Sequence, residues 1–222
     1  LFCIELFFVL IAVFRFAGLI FRRPKIQSAF LLWIYAMLYV FVRDMWDVLR
    51  LRYRSPETYL YSPLVIAAVL LLLGVVNAAS MSPLFGSGAA AVCLSVILVI
   101  VKWLVLSRSM RKVLHYYGAP RLPLWGFILV SEALLLPLLL VLYVPALAVF
   151  ALLWQAWVFV VQVRGLMWMG NATVGRVLVG YLLYGFGVLC VGTVILMLFI
   201  AAGWLDLETL NQNLQALTSA RK

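Results

Sequence analysis

The chain has 222 residues, of which 68% are apolar and 11% charged, and its mean hydropathy is +1.18; ordinary globular domains are about half apolar and a quarter charged. One globule of this length still leaves much of its surface on solvent, so the medium for most of this apolar surface must be lipid. The net charge of +10 comes from 17 Lys and Arg against 7 Asp and Glu, but the cations cluster at the ends of apolar runs, which is the positive-inside pattern of a membrane protein and sets nucleic acid aside as a partner.

The sequence begins at Leu1 rather than Met, which leads us to expect residues before it. Two apolar runs come first, 1–21 and 28–42, each followed by a basic stretch. If both crossed the membrane, Arg22, Arg23 and Lys25 would lie opposite Arg43, Arg50, Arg52 and Arg54, and one cluster would break the positive-inside bias. The run 28–42 falls short of the roughly 20 residues needed to cross about 30 Å of hydrocarbon. The sequence therefore predicts a span over 1–21 only, with a tight helical hairpin of both runs as the alternative. Glu5 and Arg15 lie about 15 Å apart along that span, too far to pair within it. Over 43–54, Met45, Trp46, Val48, Leu49 and Tyr53 gather on one arc of a helical wheel, and Arg43, Asp44, Asp47, Arg50 and Arg54 on the other. This predicts an amphipathic helix on the cytoplasmic headgroups, with Arg43, Arg50 and Arg54 against anionic lipid and Asp47 paired to Arg43 and Arg50.

Five further spans are predicted at about 62–81, 87–107, 123–144, 145–163 and 177–203. The loop 108–122 carries Arg108, Arg111, Lys112 and Arg121, and the loop 164–176 carries Arg164 and Arg176; the connections between them are uncharged. Both basic loops are therefore expected in the cytoplasm, with Arg108, Arg111, Lys112 and Arg121 on lipid headgroups and the carboxyl tail outside. In the tail, Leu207, Leu210, Leu214 and Leu217 predict a short amphipathic helix resting on the membrane or in a partner's groove. The expected architecture is an all-α polytopic bundle of five to seven apolar segments, six of them spanning. It falls into an amino-terminal part (1–61), a five-span domain (62–204) and the tail (205–222).

Little in this inventory suggests catalysis. Cys3, Cys93 and Cys190 each sit in an apolar run without CxxC spacing, His115 is the only histidine, and no HExxH, GxSxG or Walker pattern occurs. Neither catalytic residues, a cofactor nor a metal site is expected. A lipid-active enzyme using the Arg108–Arg121 cations to hold a phosphate headgroup would lack a nucleophile. The one acid deep in a span is Glu132, about ten residues from the cytoplasmic end of its helix and so near mid-membrane, where a carboxylate costs several kcal/mol unless protonated or paired. Glu132, Lys102, Gln155 and Gln162 form the candidate intramembrane polar site, with Pro137 loosening the helix beyond it. It is either a proton or cation site or a lock between helices, with Lys102 reaching inward from near the cytoplasmic end of its span. Gly74 with Ala78 and Gly86 with Ala90 have small-xxx-small spacing, and Gly180, Gly185, Gly187 and Gly192 recur in the last span. Trp125, Tyr143, Trp168 and Trp204 are placed as interface anchors.

The segments KVLHYYGAPRLPLWGFILVSEALLLPLLLV and WQAWVFVVQVRGLMWMGNATVGRVLVGYLLYGFGVL, with Arg164, Gly165, Gly170, Thr173 and Gly175 at the turn into the last helix, resemble prokaryotic members of the YIP family, the polytopic Ypt/Rab-interacting membrane proteins. The resemblance covers about residues 60–203. It implies five spans with the amino terminus cytoplasmic, no catalytic residues, and a role like that of adaptors and membrane-shaping proteins; the eukaryotic DLYGP motif is absent, which tells against a GTPase partner. The function expected is that of a non-enzymatic protein of a bacterial inner membrane, packing against partner proteins, a second copy or lipid as an accessory subunit. The alternative is a small transporter or channel with a proton or cation site at Glu132.

Overall fold

The computed structural model describes residues 24–86, 88–139 and 144–219, and every described element is helical. The chain divides into two units at Val42–Arg43. The expected span at 1–21, with Glu5 and Arg15, lies outside the described residues. Helix α1 runs from Pro24 to Leu49 and crosses the division.

The second unit contains the remaining described elements. Among the described residues, four helices are long and apolar enough to cross a membrane: α2 (Pro63–Phe85), α3 (Ala89–Tyr116), α5 (Ala148–Gly170, its apolar stretch starting at Val149) and α6 (Val174–Ala201). Between α3 and α5 lies the short α4 (Trp125–Ala133), and α7 (Leu207–Ser219) closes the chain. Helix α3 is central, with α2 and α6 antiparallel on either side of it. The close approaches are made at glycines. A Cβ on Gly74 would stand 2.7 Å from Val96 Cα, and one on Gly187 2.9 Å from Val105 Cγ1, so α3 seats against both neighbours only because these side chains are absent.

Three expectations change. Within the described part of the segment 123–144 the α-helix is short: α4 has nine residues, turns at Leu134–Leu135 and passes into a 3-10 turn over Leu136–Leu138. Pro137 has no N–H for the carbonyl four residues back and its ring crowds that carbonyl. The neighbouring carbonyl of Leu134 accepts instead from the Trp154 indole N–H at 2.8 Å. Second, the helix expected over 43–54 is the end of α1, and it stops at Leu49. Leu51 adopts φ 61, Arg52 N–H returns to the Asp47 carbonyl, and the chain leaves extended toward Pro56. Third, α3, α5 and α6 run past their apolar stretches, because Arg, Lys and Met continue a helix well. Arg108, Arg111 and Lys112 therefore lie on α3, Arg164 on α5 and Arg176 on α6, and the second basic loop shrinks to Asn171–Thr173.

Helix α4 is the core. Phe127, Ile128, Leu129, Val130, Ser131 and Ala133 are fully buried among α2, α3, α5 and the 3-10 turn Pro56–Tyr59. Gly126 lies directly beneath the Tyr59 carbonyl, and a Cβ there would overlap that oxygen. Tyr59 is itself buried, edge-on to the Phe127 ring. At the other end of the bundle, the last carbonyls of α2 have no helical partner, and Leu84 O accepts from Asn213 Nδ2 of α7 at 3.0 Å. The tail helix is thus held to the bundle; the side chains of Leu207, Leu214 and Leu217 lie outside the described set.

Candidate functional site

Lys102 stands midway along the 28 residues of α3, since that helix continues to Tyr116; it is not near the helix end, as its apolar run suggests. Glu132 occupies the penultimate position of α4. The two meet as Lys102 Nζ to Glu132 Oε2 at 3.0 Å, with the carboxylate side chain mostly buried and the lysine partly open. Helix α4 packs against α3, and at seven residues beyond Trp125 it brings the acid level with the lysine. Trp103, next to Lys102, reaches the other way and donates its indole N–H to the Trp125 carbonyl at 3.1 Å. Two adjacent residues of α3 thereby hold both ends of α4.

Beside the ion pair runs a chain of hydrogen bonds through three helices. Tyr181 of α6 donates its hydroxyl to Gln162 Oε1 at 2.7 Å, Gln162 Nε2 of α5 donates to Ser131 Oγ at 2.8 Å, and Ser131 Oγ donates to the Ile128 carbonyl at 2.9 Å. Each group in the chain is satisfied, and each bond of this kind within a membrane is worth about 0.6 kcal/mol on average. Tyr184, one turn along α6 from Tyr181, lies within electrostatic range of both Lys102 and Glu132.

Of the four residues expected at this site, Glu132, Lys102 and Gln162 are brought together and Gln155 is not. Gln155 projects from α5 two turns from Gln162 and is exposed. Ser131, Tyr181 and Tyr184 were missed. The signal for the tyrosines was present: spaced three apart in an otherwise apolar span, they put two hydroxyls on one helix face. Ser107, also on α3, is buried with no hydrogen-bond partner among the described residues.

Of the basic residues expected on lipid, Arg43, Arg50, Arg54, Arg108, Lys112 and Arg121 are exposed and Arg111 is half-buried. Arg54 also bridges two carboxylates, Asp47 at 2.6 Å and Asp44 at 3.4 Å; it, rather than Arg43 or Arg50, is the partner of Asp47. Asp44, placed on the polar arc by the sequence pattern, is buried, accepts from the Tyr61 hydroxyl at 2.8 Å and has Arg43 at 3.8 Å. Arg50 lies over the Trp46 ring at 4.4 Å and Arg111 over Trp125 at 5.8 Å. Burial and the Asp44 hydrogen bond push the Tyr61 phenol up, and burial raises Tyr59 as well.

Comparison of the chain with protein-family models, curated proteins and solved structures found no match in any of the three. Among the described residues, no three or more His, Cys, Asp or Glu side chains gather where they could hold a metal ion. Chemically, the intramembrane cluster is a neutralised ion pair next to a closed hydrogen-bond chain, joining α3, α4, α5 and α6 at one level.

Proposed function

We propose that the chain is a non-enzymatic integral protein of a bacterial inner membrane, acting by packing against partner proteins, a second copy or lipid as an accessory subunit of a larger assembly. The likeness to prokaryotic YIP proteins belongs to the same reading. The observation that carries it is the outer face of α6. Only Val177, Gly180 and Phe199 of its 28 residues are buried, while Leu182, Phe186, Leu189, Val194 and Met197 stand open along its length. Gly185 on the same helix faces open space, and a small residue in such a stripe lets a second helix come close. Lys102 and Glu132 neutralise each other at 3.0 Å, so neither charge among the described residues at this level is left unpaired. The test is isolation from native membranes in mild detergent, which should recover an oligomer or a stoichiometric partner. Gly185→Leu and Leu189→Arg should each release it. A clean monomer that retains its cellular role would overturn the reading.

A second reading, a small transporter or channel centred on Glu132, is favoured by the convergence of polar groups from four helices where the short α4 ends, an arrangement that membrane transporters build from interrupted helices. Proton or cation flux in reconstituted vesicles should then fall in Glu132→Gln and Glu132→Ala. The absence of flux from the unaltered chain removes this reading.

A further inference from the structure

At the end of the bundle where the basic residues collect, the link following α1 and the last turns of α5 enclose an open cleft of about 430 Å³, lined by Leu51, Tyr53, Arg164, Met167, Trp168 and Ala172. The guanidinium of Arg164 is exposed, and no carboxylate pairs with it among the described residues. Several neighbouring cations are already committed: Arg54 to two carboxylates, Arg111 and Arg176 to aromatic faces. Arg108, Lys112 and Arg121 are open but do not line the cleft. Arg164 is therefore the one cation in the wall of this recess.

The recess is built before anything enters it. Tyr53 forms one wall and is held at three points: its hydroxyl donates to the Val161 carbonyl at 2.8 Å, and its ring lies edge-on to Phe127 at 6.2 Å and tilted on Trp168 at 6.3 Å. It can sit there only because residue 165 is glycine, since a Cβ at that position would strike the Phe127 ring and stand 2.9 Å from Tyr53 Cε1. Burial pushes the Tyr53 phenol up to about 12, so this wall brings no negative charge. Leu51, Met167 and the largely exposed Trp168 supply its apolar side chains. Arg164 lies six positions before the last residue of α5, about 9 Å along the axis, which is the depth of the boundary between headgroups and acyl chains for a helix that ends at the membrane surface.

We propose that this cleft binds a phosphate group on the Arg164 guanidinium, with the organic part attached to that phosphate lying against Leu51, Met167 and Trp168. The planar guanidinium suits two-point recognition of phosphate oxygens. The mixed lining, with Leu51, Met167 and Trp168 beside the cation, suits the glycerol and first acyl carbons of an anionic phospholipid, and free phosphate shares the same chemistry at the cation. Such binding needs no partner protein, so a solitary monomer in detergent would leave it untouched.

The test is native mass spectrometry of the full chain in detergent, titrated with phosphatidylglycerol and, as a phosphate-free control, with diacylglycerol. One phosphatidylglycerol is expected to bind in preference to diacylglycerol. Arg164→Gln should weaken that binding about fivefold, the effect of one basic side chain at an anionic lipid surface. Arg164→Lys should retain more of it, and Arg121→Gln should bind as the unaltered protein does. Displacement by inorganic phosphate would assign the site to the phosphate alone; its failure to displace would assign it to the lipid. Equal binding of diacylglycerol, unchanged binding in Arg164→Gln, or an equal loss in Arg121→Gln would overturn the proposal.

Discussion

The Arg176 guanidinium stands 5.1 Å from the centre of the Tyr117 ring. Tyr117 caps the end of α3 and Arg176 opens α6, so the contact joins the two basic connections, separated by two segments of chain, at one end of the bundle. A cation in the first turn of a helix is disfavoured by the helix dipole, and an aromatic face offering about 0.5–1 kcal/mol at an exposed site offsets that. The positive-inside pattern, a statement about sequence, thereby acquires a geometric counterpart. Cysteines placed singly at Lys112 and Arg164, in a chain lacking Cys3, Cys93 and Cys190, are expected to react with an impermeant thiol reagent from the same face of sealed vesicles. Labelling from opposite faces would undo the threading.

The Lys102–Glu132 pair predicts a pattern of losses and recovery. Removing one member of a buried pair strands the other, which costs about 3–5 kcal/mol when both are enclosed; Lys102 is 39% exposed at its side chain, and about 2 kcal/mol is expected here. Lys102→Met and Glu132→Leu should each lower the thermal midpoint in detergent, and the double variant should regain most of the loss. A double variant as weak as the sum of the singles would show that the two groups act independently.

Gly126 and Gly175 make a matched test of packing. Gly126→Ala thrusts a methyl group into the Tyr59 carbonyl, a backbone atom that cannot turn aside, so the cost should lie at or above the upper end of the about 1–3 kcal/mol usual for overpacking. Gly175→Ala, in the first turn of α6 with open space around it, should be neutral or slightly stabilising. Yield and thermal midpoint of the two variants would settle the contrast.

The link after α1 predicts an alkaline transition. Tyr53 has its folded pKa raised from 10.0 to about 12 by burial, with Arg164 opposing and Tyr59 adding to the shift; Tyr59 and Tyr61 are raised as well, chiefly by burial, with Asp44 adding to both. A phenol whose folded pKa is raised holds its proton more tightly in the folded state. Its contribution to stability is complete below pH 10 and declines as pH rises toward about 12. Tyrosinate absorbance during alkaline titration should show phenols that ionise only with unfolding, one fewer in Tyr53→Phe. Ionisation of every tyrosine near pH 10 with the fold intact would contradict the buried placement.

Hydropathy made the spans at 62–81, 87–107, 145–163 and 177–203 legible, because lipid solvation acts on about 20 residues at a time and requires no knowledge of neighbours. It misplaced their ends for the same reason: α3 runs on through Arg108, Arg111 and Lys112 until Tyr117 and Gly118 stop it, and helix propensity continues where hydropathy does not. The segment at 123–144 passed the same window test, yet its α-helix ends at Ala133 and passes into a 3-10 turn, since average apolarity does not register the ring of Pro137 or the Trp154 indole waiting for a freed carbonyl.

The candidate site divides along a similar line. That Glu132 needs a partner follows from one carboxylate in an apolar run, and Lys102 was among the few residues able to serve. That Gln162 belongs and Gln155 does not depends on which turn of α5 meets Ser131. The roles of Ser131 and Tyr181 depend on a chain of hydrogen bonds spanning fifty residues of sequence, from Ser131 to Tyr181. Local composition carries the solvent preference of each segment, because transfer into lipid is close to additive over residues. Which polar groups meet is set by the rotation and termination of helices packed against one another, and neither is a property of any one segment.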